Sequence, residues 1–259
     1  MTADTPLLRA SDVTLVYQGK RGDITALQDL SLDVQDGEFV SVLGPSGCGK
    51  STLLKIAAGL VPPSKGTIEL AGSIVKKPSP NVGVVFQKAN LMPWKTVLEN
   101  VLVAARSLGR DMDAARKTAD DYLALVGLEK FAHNYPNELS GGMQQRVGLV
   151  RGLAHDPSVL LMDEPFAALD AMTREQMTLE LQKLWMATKK SVLFITHSIP
   201  EAVFLSDRIL VLSERPGTVV MDVPVTLPRP RSFETLSDTT YNDICNQLRA
   251  HFSSFMAGG

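Results

Sequence analysis

Cysteine is scarce in this sequence: Cys48 and Cys245 are the only two in 259 residues. Two thiols so far apart make no disulfide framework, and the count fits a reducing compartment. A charge surplus is missing too. The 26 Lys and Arg residues face 28 Asp and Glu, for a net charge of −2. That balance argues against nucleic acid as the main partner, while leaving room for a local basic patch. No apolar run approaches the roughly 18 residues that span a bilayer. The segment Met1 to Ala10 has neither a basic n-region nor an apolar h-region. Internal repeats and low-complexity stretches are absent. These absences describe a cytosolic chain whose membrane role, if it has one, comes through a partner.

What is present is an ordinary globular composition, 44% apolar and 21% charged. The length allows one large domain or two small ones and needs no covalent staples. Val13–Tyr17 and Leu30–Val34 alternate apolar and polar as half-buried strands do. Phe39–Leu43 is a continuous apolar run ending at a glycine-rich turn, and Thr67–Ala71 and Gly83–Phe86 are further strand candidates. The middle reads as helical. Thr96-Val-Leu-Glu99 is a capping box opening a helix with Val97, Val101 and Ala105 on one face. A second helical stretch covers Ala114 to Val126, and a third runs from near Ser140 to before Pro157. Short buried-looking runs then return at Val159–Met162, Val192–Thr196 and Arg208–Leu212. Such alternation predicts an α/β fold with a parallel sheet covered on both faces and a helical insertion. After Leu227-Pro-Arg-Pro-Arg231 the composition shifts toward a last amphipathic helix, with Tyr241, Ile244, Leu248 and Phe252 on one face.

Gly44-Pro45-Ser46-Gly47-Cys48-Gly49-Lys50-Ser51 matches the phosphate-binding pattern G-x-x-x-x-G-K-[ST], with a strand before it and a helical stretch, Ser51 to Gly59, after it. Ordinary residue usage gives this pattern by chance on the order of one per cent of the time in such a chain. The glycines let backbone N–H groups converge on phosphate oxygens at a helix N-terminus. Lys50 is assigned to the β- and γ-phosphates and the Ser51 hydroxyl to Mg²⁺. Cys48 takes a variable position of the loop. Asp163 and Glu164 close an apolar run beside the phosphate loop, where a P-loop NTPase holds its Mg²⁺. Alone, an acidic pair before a proline is more often a solvated turn; beside the phosphate loop, Asp163 is expected to bind metal through water. Because side chains alternate along a strand, Glu164 faces another part of the site and polarises the attacking water.

Leu139-Ser140-Gly141-Gly142-Met143-Gln144-Gln145-Arg146 resembles the signature motif of ATP-binding cassette (ABC) ATPases. Pro165–Asp170 follows as the D-loop, Gln87 is similar to the Q-loop residue that reaches the metal, His197 to the switch histidine, and Tyr17 to the aromatic that stacks on adenine. Position 143 is Met where the commonest family signature has Gln. The resemblance implies a P-loop NTPase (ABC ATPase) core with an N-terminal antiparallel β region and an inserted helical signature subdomain. It places the nucleotide-binding domain at 7–231, the helical subdomain at about 88–155, and a helical extension at 232–259. ATP and Mg²⁺ are the implied ligands, and Glu164, His197 and Lys50 the catalytic residues. Tyr17, residues 44–52 including Thr52, Gln87, Ser140, Gly141, Gly142 and Asp170 are the implied ATP contacts, with Ser51, Gln87 and Asp163 at the metal. In the family two subunits pair head to tail and each signature caps the γ-phosphate held by the other chain. His133, His155 and His251 lie outside every motif and read as surface or structural.

One cassette without a spanning segment implies borrowed transmembrane permease subunits, the architecture of bacterial importers, with the chain peripheral on the cytoplasmic face of the inner membrane. Leu91-Met-Pro-Trp-Lys95 is apolar where a loop is expected and suits docking of a partner helix, unless Trp94 packs under its own helix. Asn90–Trp94, Asp163–Arg174 and Leu212-Ser-Glu-Arg-Pro-Gly217 are similar to importer subunits of the nitrate/sulfonate/taurine type. A periplasmic or lipid-anchored solute-binding protein would choose the solute. The competing class is a soluble cassette ATPase acting on nucleic acid or ribosomes. Such proteins usually join two cassettes or carry a long coiled-coil insertion, and this sequence has neither. A P-loop kinase is disfavoured by the signature and D-loop.

Overall fold

The computed structural model describes residues 5–20 and 22–257, with side chains of the last helix described as far as Ser253. Residues 1–4 of the N-terminal segment and 258–259 of the extension lie outside the described residues. Ten strands and seven helices follow in chain order: β1 Leu8–Tyr17, β2 Ile24–Val34, β3 Phe39–Leu43, α1 Lys50–Ala57, β4 Lys65–Leu70, β5 Ser73–Ile74, β6 Val82–Val85, α2 Val97–Ser107, α3 Met112–Leu125, α4 Gly141–Leu153, β7 Val159–Asp163, α5 Ala171–Thr188, β8 Ser191–Ile195, α6 Ile199–Leu205, β9 Arg208–Leu212, β10 Val219–Pro224 and α7 Thr239–Ala257.

Two sheets form. The first is antiparallel in the order β2-β1-β4-β5, and the second runs β10-β9-β3-β8-β7-β6 with β9, β3, β8, β7 and β6 mutually parallel. The apolar runs of β3, β7 and β8 are continuous because both faces of their sheet are covered. Phe39, Leu43, Leu160, Met162, Val192 and Phe194 face the helical core, which also holds Val97, Val101, Val147 and Leu181. Val40, Val42, Val159, Leu161, Leu193 and Ile195 face the other core, shared with α1 and the antiparallel sheet. The expected α/β fold with an antiparallel N-terminal region is therefore observed, and α2, α3 and α4 form the insertion between β6 and β7.

The last helix packs into the main core through Tyr241, Ile244 and Leu248, with Phe252 half-buried against it, and Cys245 joins this face. The strap before it is pinned. Buried Arg231 donates to the carbonyls of Val203, Phe204, Ser206 and Leu227, closing the C-terminal end of α6. Desolvation pushes its pKa down to about 10.

Candidate functional site

Three neighbouring parallel strands deliver the site. β7, β8 and β3 lie side by side, so their C-terminal ends bring Asp163–Glu164, Thr196–His197 and the loop after Leu43 to one edge. Open parallel sheets place ligand sites outside the carboxyl ends of their strands.

The loop from Gly44 to Gly49 needs glycine where it turns. Gly49 has φ +110°, and a Cβ there would stand 2.7 Å from the carbonyl oxygen of Ala26 and 2.6 Å from Leu27. The chain then enters α1, whose first residues are Lys50, Ser51 and Thr52. Lys50 is buried and donates from Nζ to the carbonyls of Gly44 and Pro45, 2.8 Å each, which lays its ammonium along the loop. Cys48 is buried with its Sγ 3.9 Å from that ammonium, and burial pushes its thiol pKa up, as for an inert structural cysteine. The Ser51 hydroxyl, in the first turn of α1, donates to Asp163 Oδ1 at the end of β7 at 3.0 Å. Burial raises the Asp163 pKa.

Glu164 departs from the expectation of strand alternation. The strand ends at Asp163, and Glu164 takes a left-handed conformation with φ 45° while its N–H donates to Ile195 O at 2.9 Å. That one dihedral, rather than the pleat, aims its carboxylate. Oε2 lies 3.1 Å from Nδ1 of the exposed His197 ring.

A cleft of about 810 Å³ gathers these groups: Tyr17, Ser46, Gly47, Gly49, Lys50, Ser51, Thr52, Glu164 and His197 line it. The Tyr17 hydroxyl lies 3.4 Å from Thr52 Oγ1. Ile24, Ala26 and Arg215 line it as well, none of them singled out as site residues by the sequence reading. Gln87 is exposed one residue past Phe86 and is not part of this lining.

Nor are Ser140, Gly141, Gly142 and Asp170. Ser140 is the N-cap of α4, accepting from the Met143 N–H at 3.3 Å, and the Met143 side chain packs half-buried against the core. Asp170 is the N-cap of α5, and its hydrogen bonds from Thr173 hold its pKa below the ordinary value. Two side chains of α4 grip the segment around Gln87. Gln145 donates to Phe86 O at 3.1 Å, and Arg151 donates to the carbonyls of Ala89 and Asn90. The remaining histidines stay outside the cleft: His133 is exposed, and buried His155 lies 3.4 Å from the Val82 carbonyl.

Nucleotide and magnesium fit this arrangement. The Ser51 hydroxyl and the Asp163 carboxylate are hard oxygen donors set side by side, and glycine-bounded loop amides precede a helix. Among the described residues no group of three or more His, Cys, Asp and Glu forms a metal cage. Mg²⁺ keeps several waters and substrate phosphate oxygens in its shell, so two protein oxygens are enough to anchor it.

The family model described as ABC transporter matches residues 27–167, more than half of the chain. The chain belongs to the ABC transporter ATP-binding family. It is similar to an uncharacterized ABC transporter ATP-binding protein of Methanocaldococcus jannaschii, 47% identical over 93% of this chain and 91% of the relative. The taurine import ATP-binding protein TauB of Burkholderia pseudomallei is 51% identical over 82% of each chain. The nitrate import ATP-binding protein NrtD of Synechocystis is 46% identical over 90% of this chain and 87% of its own. Among solved structures, the dimeric cassette MJ0796 superposes with a TM-score of 0.74 at 35% identity, covering 87% of this chain and all of that one. A post-hydrolysis dimer of the same cassette bound to ADP and Pi gives 0.73. The chain is thus an ABC-type ATPase whose ligands are ATP and Mg²⁺.

Proposed function

We propose that this ATPase drives a bacterial importer for a small, anionic solute of the nitrate/sulfonate/taurine type. The observation that carries the reading is the pairing of an ATPase cleft with a pre-formed apolar loop that leaves Pro93 and Trp94 exposed at its tip. Trp94 is 73% exposed, so it does not pack under its own helix. Fully buried Asn100 shapes the loop beneath it, accepting from the Met92 N–H and donating to the carbonyls of Met92, Lys95 and Thr96. A rigid loop presenting a bare tryptophan suits a helix of a transmembrane permease subunit. Among the described residues no helix is long and apolar enough to cross a membrane. On this reading the chain is held at the cytoplasmic face by its permease partner, and an external solute-binding protein selects the cargo. Its relatives' names, taurine import and nitrate import, support the solute class. The balanced charge gives no support to nucleic acid as a partner.

In the site, Lys50 and the backbone N–H groups of residues 46–52 hold the phosphates, with Gly44 and Pro45 shaping the loop, Tyr17 receives the adenine, and Ser51, Asp163 and Gln87 hold Mg²⁺. The metal, when bound, neutralises phosphate charge. Glu164 takes the proton of a water whose oxygen attacks the γ-phosphorus as the bond to the bridging oxygen breaks. His197, 3.1 Å away, orients Glu164 and hydrogen-bonds the γ-phosphate. Ser140, Gly141, Gly142 and Asp170 act on the nucleotide of a second copy, which accounts for their distance from their own cleft. Residues 7–231 form this nucleotide-binding unit, with the helical subdomain at about 88–155 and 232–259 as an extension.

The test replaces the native protein with its Lys50→Ala variant and follows uptake of nitrate, taurine, alkanesulfonates and aromatic acids one at a time. Loss of uptake of one solute class, restored by the wild type, is expected. Unchanged uptake of all of them overturns the importer assignment.

A further inference from the structure

The segment Leu212–Gly217 has no part in the hydrolysis described above, yet it reaches the cleft. It connects β9 to β10, and its shape is fixed from inside. Ser213 Oγ lies 2.8 Å from the Glu214 carbonyl and 3.0 Å from that of Pro216, which share its one proton, and accepts from the Thr218 N–H (3.1 Å). It is also fixed from outside, because Gly217 donates to Ala26 O at 3.0 Å and accepts from the Gln28 N–H at 3.1 Å. Gly217 presses so closely on the phosphate loop that a Cβ there would lie 2.1 Å from the Cys48 carbonyl oxygen. The connection is therefore a rigid abutment of the loop that cradles phosphate.

From this abutment Arg215 lines the same cleft as Ser46, Gly47, Lys50 and Thr52. It is exposed, and among the described residues it has neither an ion pair nor a hydrogen-bonded partner. Its neighbours differ. Arg208, at the base of the same hairpin, is committed to Glu38 and Asp222, and Arg229 to Asp207. Lys50, the other permanent cation of the lining, is laid along the carbonyls of Gly44 and Pro45. Arg215 thus offers five uncommitted donors to a cavity whose ligand carries several negative charges.

We propose that Arg215 is a nucleotide-binding residue whose guanidinium engages the polyphosphate of the bound nucleotide. The inference rests on the assignment of the phosphate-loop cleft to ATP. It adds a contact supplied by the β9–β10 connection to those of the phosphate loop. Because that connection is braced on both Ala26 and Cys48, the backbone that carries Arg215 is fixed before binding, and only the side chain has to be ordered.

The experiment titrates the purified full chain with MgATP and MgADP at low and high salt, for wild type, Arg215→Ala, Arg215→Lys and Lys50→Ala, after equal thermal unfolding of the Arg215 variants and wild type is checked. Arg215→Ala is expected to weaken both nucleotides by about five- to tenfold and to flatten the salt dependence, with Arg215→Lys recovering most of the loss. Arg215→Ala affinities within twofold of wild type overturn the proposal. So does a loss that Lys does not repair and that leaves the salt dependence unchanged, since that reports shape rather than charge. Wild-type MgATP affinity in Lys50→Ala would instead sink the cleft assignment, which separates the two failures.

Discussion

Asp163 closes β7 half-buried, and burial raises its pKa, opposed by the Ser51 hydroxyl and by Lys55 and Lys50, with the Glu164 charge adding to the rise. The folded state therefore binds more protons than the unfolded state between the ordinary carboxylate value and the raised one. Stability contributed by this group falls as pH rises through that window, and at neutral pH the full penalty of the buried charge is present. Asp163→Asn keeps an oxygen for the Ser51 hydroxyl and removes the charge. It is expected to raise the melting temperature of the nucleotide-free protein by about 2–4 °C at pH 7. The gain should narrow toward acid pH, while ATP hydrolysis is lost; calorimetry across pH and a phosphate-release assay check both. At this scale the sequence was most legible where chemistry is contiguous, as in residues 44–51. It was least legible where one torsion or one distant contact decides. The φ of 45° at Glu164 and the contact of Gly217 with Cys48 leave no periodic trace in the chain.

The elements divide the same way. Strands β3, β7 and β8 were readable because a covered parallel sheet demands unbroken apolar runs. Strand β10 was not, because an edge strand with one buried residue among exposed and half-exposed ones looks like a loop. Helix α5 hides its inner face by burying Gln182, which exchanges hydrogen bonds with the Arg231 backbone, among Met177, Leu181 and Trp185. The loop before α2 yields a paired prediction. Asn100→Ala strips partners from the Met92 N–H and three carbonyls and should cost about 1–3 kcal/mol in urea unfolding. Trp94→Ala removes an exposed side chain and should leave that stability unchanged while abolishing transport by the assembled complex. Normal coupled transport in Trp94→Ala would reject the docking role of this loop.

For the molecule as a whole, the proposed pairing, in which Ser140–Gly142 serve the nucleotide of a second copy, has one copy hold a nucleotide and another complete its surroundings. Hydrolysis then controls association, since a ligand that bridges two copies stabilises only the pair. Glu164→Gln is expected to bind MgATP normally, to hydrolyse it at least about 100-fold more slowly, and to elute as a dimer with MgATP. Wild-type turnover in that variant, or a monomer at saturating MgATP, counts against the assignment.

The loop crowned by Trp94 also bears on manufacture in the cell. Asn100 holds that loop in shape whether or not anything covers it, so on the proposed docking every copy made beyond the number of available membrane seats would keep Trp94 in water. Synthesis matched to that of the permease would then keep such orphans few, and surplus copies would be the ones that chaperones and proteases meet.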